Sequence, residues 1–201
     1  MKKIILASKS IDRSAIFKRA SIQFEIFVTN INEEKFKTQF SDPVELVKET
    51  AKEKALFAKN KLLKEDNDSI IIAADTLVEF NGEIIGKAHN NNEAFKILKK
   101  LIGKAHKLIT GIAITAIKSP KIILDSDITI VEFLELSDDE IIEYIKTNEW
   151  KGRAGAYSIN DRASLFINKI NGSSSNVIGL PMQKIYTILK KEFGINLLQL
   201  E

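Results

Sequence analysis

Apolar positions along this 201-residue chain follow two rhythms, continuous or alternating runs and steps of three and four, and their order predicts interleaved strands and helices. Ile4, Ile5, Leu6 and Ala7 form a short strand-like run that stops at Ser8. A helix pattern follows, with Ser10 in the N-cap position and Ile11, Ala15, Ile16 and Ala20 at helical spacing. Ile22, Phe24, Ile26 and Val28 alternate as in a half-buried strand, which runs into a polar loop carrying Glu33 and Glu34. Asp42 before Pro43 is a cap followed by the residue suited to a first helical turn. Val44, Val47, Ala51, Ala55, Ala58 and Leu62 then mark the clearest helix in the sequence. The run from Ile70 to Ala74 suits a strand covered on both faces, and two short strands around Asn81-Gly82 predict a type I′ hairpin. Beyond it come a helix over about 91–102 and two or three long strands broken near Ser119-Pro120. A capping box formed by Ser137 and Glu140 opens another helix. Strands and turns over 154–181 and a last helix from about Pro181 to Phe193 complete a mixed α/β pattern without repeats or linkers.

Composition narrows the classes open to such a fold. With 44% hydrophobic and 28% charged residues the chain can bury a substantial core, as one domain or two small ones. Its 30 Lys and Arg are interspersed with 27 Asp and Glu, giving a net charge of +3, which is too weak and too scattered to point to nucleic acid. Cysteine is absent, so disulfides, thiolate nucleophiles and cysteine metal sites are excluded and a reducing cytoplasm is the expected compartment. Only four consecutive apolar residues follow the two N-terminal lysines, too few for a signal peptide, and no run approaches the roughly 20 apolar residues of a membrane span. A soluble protein off the membrane is expected. His89 and His106 lack metal-ligand spacing and receive no role. The phosphate loop, dinucleotide and serine-hydrolase motifs are all missing.

Several polar placements stand out against this background. Asp75 follows five apolar residues, at the expected carboxyl end of a buried strand, where α/β sheets commonly keep their ligands. It reads either as a functional carboxylate or as a capping Asp in a turn before Thr76. Lys54 shares the helix face of Val47, Ala51 and Ala58, so it points inward or along a cleft edge unless it snorkels to solvent. Ser8, Lys9, Ser10 and Arg13 surround a helix start, which on these residues alone reads as an ordinary cap before an anion site, since caps are far commoner. Lys87 closes the hairpin and by itself is an ordinary surface lysine. Several cations with two or three acids at one sheet edge would suit a polyphosphate and a divalent metal.

The segments ILASKSIDR, NINEE, KEKA, AADT, NGEIIGKA, GKAHKLITG, RAGAYSI and INGSSSNVIGLP, in this order, resemble the Maf-like nucleotide pyrophosphatases over nearly the whole chain. The resemblance implies one domain over residues 1–201, an elongated mixed sheet flanked by helices with a cleft between two lobes, related to the inosine triphosphate pyrophosphatases, and usually a homodimer. It implies hydrolysis of a nucleoside triphosphate to the monophosphate and pyrophosphate with Mg²⁺ or Mn²⁺. By position, Ser8, Ser10 and Arg13 match the family's phosphate-binding turn, Glu33 an acid after the second strand, Lys54 the lysine of the EKA motif, Asp75 the proposed general base and Lys87 the lysine after the hairpin. Glu33 and Asp75 are thereby the metal-ligand candidates. AADT and GAYSI resemble the branch acting on dTTP and UTP rather than the 7-methyl-GTP branch, with Asp12, Thr76 and Asn160 at points linked to specificity. The family's usual SPRR is here Ser10-Ile11-Asp12-Arg13, its usual Gln is Asn160, the following Gly is Asp161, and a Pro is Ala88. These departures leave two further expectations open: a 7-methyl-GTP pyrophosphatase, or a non-catalytic regulator of cell division that senses nucleotides.

Overall fold

The computed structural model describes residues 2–64 and 68–199. A seven-stranded mixed sheet flanked by helices has the strand order β2-β1-β3-β5-β6-β7, with β4 paired to β3. Its strands are β1 (Ile4–Leu6), β2 (Glu25–Ile26), β3 (Ile70–Phe80), β4 (Glu83–Ile85), β5 (Ala105–Ala116), β6 (Ile122–Phe133) and β7 (Ile167–Asn171). The helices are α1 (Ile11–Arg19), α2 (Glu34–Lys37), α3 (Pro43–Leu62), α4 (Asn91–Leu101), α5 (Asp138–Lys146), α6 (Ser174–Val177) and α7 (Met182–Phe193). The chain divides into two compact units: residues 1–75, 110–127 and 179–201 form the first, and residues 76–109 and 128–178 the second.

In the first unit β1 pairs in parallel with β2, Ile5 opposite Glu25, and with β3, Ile4 opposite Ile70 and Leu6 opposite Ile72. β1 and the start of β3 are covered on both faces, which is why their sequence is a continuous apolar run. Asp42 caps α3 by accepting the Glu45 N–H at 2.8 Å. One face of α3 then lays Ala51, Ala55, Ala58 and Leu62 onto Ile5, Ala7, Ile71, Ala73, Ala113 and Ile117. Alanine at the contact lets helix and sheet approach closely, and Gly111 of β5 carries this to its limit. A Cβ built there would lie 2.4 Å from the Val47 carbonyl carbon, so any side chain at this position collides with helix backbone.

In the second unit the expected hairpin is present. Phe80 faces Glu83, leaving a two-residue loop in which Asn81 (φ 52°) and Gly82 (φ 81°) both take the left-handed conformation that a type I′ turn requires. Glu79 Oε1 accepts the Gly82 N–H at 2.6 Å and fixes the turn from the strand side. Asn90 caps α4 through the Glu93 N–H, and the Ser137–Glu140 capping box of α5 is formed in both directions. The core beside these helices is aromatic. Phe133 packs edge-on against His106, Tyr157 and Phe166 with centroids 4.8, 4.9 and 5.1 Å apart, and Tyr144 stands edge-on to Phe166.

Three sequence expectations are corrected here. The alternating stretch from Ile22 to Val28 forms only the two-residue β2, with Ile26 and Val28 exposed, because β2 is the sheet edge and has one neighbour. Of the apolar positions expected to be buried in α1, Ile16 is buried and Ala15 half-buried, but Ile11 is 84% exposed and Ala20 is exposed, and the buried face is completed instead by Arg13, Ser14 and Phe17. Strand β3 does not end near Asp75 but continues to Phe80, so the first arm of the hairpin and the buried strand are one element.

His106 is the second residue of β5 and is buried, its Nε2 3.0 Å from the Tyr157 hydroxyl and its Nδ1 without a partner among the described residues. Burial lowers its pKa from 6.5 to about 4. The unfolded chain therefore binds more protons between those two values, and stability present above pH 6.5 is lost as the pH falls toward 4. Urea titrations should show the wild type losing about 1.5 kcal/mol more than His106→Gln between pH 6.5 and pH 5. Equal losses in the two proteins would mean that His106 is not held neutral by the fold.

Candidate functional site

The first unit brings together six of the residues singled out in the sequence. Strand β1 ends at Leu6, and the Ala7 N–H still bonds to the Ile72 carbonyl at 2.8 Å before the chain turns through Ser8 and Ser10 into α1. Ser8 Oγ accepts the Ser10 N–H at 3.2 Å, and Ser10 Oγ accepts the Arg13 N–H at 3.4 Å as the N-cap. In these bonds both hydroxyl oxygens accept, so they do not use the O–H donors that an anion would need. The turn is thus a capped helix start whose chemistry remains suited to an anion.

Lys54 supplies the centre of the arrangement. Helical spacing sets it on the face that carries Ala51, Ala55 and Ala58, and its side chain is 8% exposed. Rather than snorkelling outward, its ammonium lies 2.8 Å from Asp75 Oδ1 and 3.0 Å from Glu33 Oε1. Glu33 occupies the N-cap position of α2 with a 42% exposed side chain, while that of Asp75 is 19% exposed, so the group is wet on the glutamate side. The turn alternative for Asp75 does not apply, since the residue lies within β3. Its place is still a boundary: the last residue of β3 paired with β1 is Ile72, three positions earlier. There the first-unit sheet loses a neighbour and a side chain can meet another charged group.

Arg13 is the fourth charge. It is 9% exposed, and its guanidinium is committed to the protein on several sides. Nε donates to the Gly179 carbonyl at 2.7 Å, and Nη1 donates to the Ala74 carbonyl at 2.9 Å and to Ser8 Oγ at 3.2 Å. Burial lowers its pKa, an effect opposed by the negative charges of Asp75, Glu33 and Asp12, in that order. Asp12, which stands where the resemblance expects a base, is therefore part of the field acting on Arg13. The carbonyls of Ala74 and Gly179 were not legible as site groups, because a backbone acceptor carries no residue signature.

Lys87, Thr76 and Asn160 belong to the second unit. Lys87 is exposed, and its backbone forms an isolated antiparallel bridge with Ala154, next to a 3.2 Å bond from the Gly155 N–H to the Gly86 carbonyl. Asn160 is exposed in a turn closed by the Asp161 N–H on the Ser158 carbonyl at 3.3 Å. Asp161, which replaces a glycine of the expected pattern, pairs with Arg153 at 3.2 Å and ties the two ends of this loop. Thr76 follows Asp75 directly in β3 and is half-buried.

Fold and site together define a mixed α/β protein whose first unit gathers two cations and two carboxylates beside a serine-lined helix start. The chain belongs to the Maf family: residues 3–192 match the family described as Maf-like protein. A dTTP/UTP pyrophosphatase of Alkaliphilus oremlandii (strain OhILAs) is 46% identical to it over 198 residues, 98% of this chain and 100% of the relative. Proteins of the same name from Clostridium botulinum (strain Okra / Type B1) and Clostridium tetani (strain Massachusetts / E88) are each 40% identical, over 98% and 96% of this chain and 100% and 98% of the relative. No described helix is long and apolar enough to cross a membrane.

Removing the central cation should be costly, because it leaves two carboxylates facing each other in a partly dry place. Since Glu33 is partly solvated, Lys54→Met is expected to lower unfolding stability in urea by about 2 to 3 kcal/mol, below the range for a fully buried pair. Adding Asp75→Asn should restore part of that loss. A double variant no more stable than Lys54→Met would show that repulsion between the acids is not the cause.

Proposed function

We propose that this chain hydrolyses nucleoside triphosphates between the α and β phosphates, releasing a nucleoside monophosphate and pyrophosphate, with dTTP and UTP as substrates. Family membership and the names of its relatives support the reaction class. The observation that carries the reading within the chain is the Asp75–Lys54–Glu33 group, an ion-paired carboxylate set beside the turn of Ser8 and Ser10.

In this reading the Asp75 carboxylate accepts a proton from water as the water oxygen forms its bond to the α phosphorus. The bond from that phosphorus to the bridging oxygen breaks, and pyrophosphate leaves with the electron pair. Lys54 and Lys87 offset charge on the phosphoryl oxygens, and the hydroxyls of Ser8 and Ser10 orient the phosphate chain. Such a reaction asks chiefly for positioning and charge neutralisation, which this set offers without Cys or His. Asp12, Thr76 and Asn160 are assigned to the choice of base.

The donor set also bears on a divalent cation. No group of three His, Cys, Asp or Glu suited to a metal occurs among the described residues. Two carboxylates remain, which fits an ion such as Mg²⁺ or Mn²⁺, ordinarily held by one or two carboxylates together with phosphate oxygens and water. Glu33 and Asp75 would hold it. When bound, the ion supplies positive charge to the phosphate oxygens. A homodimer, as the family resemblance implies, and a cytoplasmic location, as the absence of cysteine leads one to expect, complete the proposal, and light scattering on the purified protein tests its dimeric part.

The assay is release of pyrophosphate from a panel of triphosphates, 7-methyl-GTP included, with Mg²⁺ or Mn²⁺. Turnover of dTTP and UTP is expected, and Asp75→Asn should reduce kcat by about 10³-fold, within the range of general-base removal, while Tm moves by a few degrees. Nucleotide binding without pyrophosphate release would leave a sensor in place of an enzyme. Preference for 7-methyl-GTP would reassign the branch.

A further inference from the structure

The family resemblance assigns Arg13 to the phosphate, yet its guanidinium donates to carbonyl groups of the protein. We infer that Arg13 is a positioning residue: it fixes the general-base strand, the Gly179 loop and the serine turn to one another rather than serving chiefly as a phosphate ligand. This rests on the pyrophosphatase reading and assigns the role of one residue within it.

The geometry supports this in three ways. Nη1 binds the carbonyl of Ala74, the peptide unit that joins Ala74 to Asp75, so its 2.9 Å bond acts directly on the residue carrying the base. The same nitrogen reaches Ser8 Oγ at 3.2 Å, and Ser8 Oγ in turn accepts the Ser10 N–H. One atom therefore spans the serine turn and the Asp75 strand. Nε reaches across 166 positions of sequence to the Gly179 carbonyl at 2.7 Å, which closes the arrangement from the segment leading into α7. These acceptors lie on three separate segments, the serine turn, β3 and the loop before α7. A planar guanidinium with donors fixed in a fork can serve them together, whereas the single ammonium of lysine cannot.

The position also explains why an arginine is kept where it is 9% exposed. A buried cation needs both hydrogen-bond partners and opposing charge, and here carbonyls supply the first while Asp75, Glu33 and Asp12 supply the second. Strand β1 releases β3 after Ile72, so the chain between Ile72 and Asp75 lacks the β1 ladder. The Arg13 bond to Ala74 holds that stretch where the ladder no longer does. Loss of such a support displaces the base relative to the phosphate turn, and a displacement of about 1 Å can cost about 100-fold in rate.

The test separates placement from binding in Arg13→Gln and Arg13→Lys. For both, kcat for pyrophosphate release should fall about 100-fold, with KM within about threefold of wild type. Calorimetry with a non-hydrolysable α,β-methylene analogue of dTTP should find Kd also within about threefold. Hydrogen exchange at the amides of residues 73–76 and 179–180 should accelerate in both variants. A Kd raised 30-fold or more in Arg13→Gln overturns the inference, since Arg13 would then be a phosphate ligand. So does full activity in Arg13→Lys, which would make charge rather than the fork the requirement, and so does unchanged kcat with a lowered Tm, which would leave a purely structural role. If the wild type releases no pyrophosphate from any triphosphate, the functional reading fails instead. The exchange and calorimetric measurements still decide whether Arg13 braces the strand or binds phosphate.

Discussion

One ammonium group between two carboxylates is the constraint to which the first unit is fitted. Lys54 can be buried only because Asp75 and Glu33 meet it at 2.8 and 3.0 Å, and the two acids can approach each other only because it stands between them. Satisfying this group requires parts remote in sequence to agree: the face of α3, the stretch of β3 beyond its β1 ladder, and the start of α2. The alanines of α3 let that helix lie close to the sheet. A bulkier face would hold the helix, and with it the lysine, farther from Asp75.

The same economy governs Arg13. Its bonds to Ala74 and Gly179 satisfy one carbonyl of β3 just beyond the β1 ladder and one in the loop before α7. Because Asp75, Glu33 and Asp12 all act on it, each charged residue of the group is also part of the surroundings of another. Charge changes here are therefore coupled. Asp12, where the family resemblance expects a basic residue, adds to the negative field on Arg13 and takes no part in the Nε and Nη1 bonds to Gly179, Ala74 and Ser8.

Much of the architecture was legible from the chain. Helix α3 with its Asp42 cap, the Asn81-Gly82 turn, the capping box of α5 and the two long strands on either side of Ser119-Pro120 all follow from local preferences that the tertiary structure leaves in force. The failures share a physical origin. Alternation from Ile22 to Val28 is a property of the segment, but pairing needs a neighbour, and the sheet edge offers only two residues of it. The spacing of Ile11 and Ala20 points to one buried face of α1, whereas the face that is buried carries Phe17 and Ile16, fully or almost fully enclosed, together with Arg13 and Ser14. In the site, Lys54 was legible as a charge on an apolar face. What it meets was not, because periodicity carries no information about which distant acid the fold brings to it.

His106 shows the converse case, a residue without a functional signature whose role is set wholly by packing. Nothing in its spacing separates it from a surface histidine, yet it lies inside the aromatic cluster with Tyr157 as its polar partner. Tyr157 itself sits in the segment that ends at Asn160, and the Arg153–Asp161 pair closes that segment from outside. A loop anchored by a buried aromatic in its middle and by an ion pair at its ends holds its shape without regular secondary structure. In this chain the ionic tie is available only because an acid occupies position 161, so the departure from the family pattern is matched by a contact that stiffens the segment carrying it.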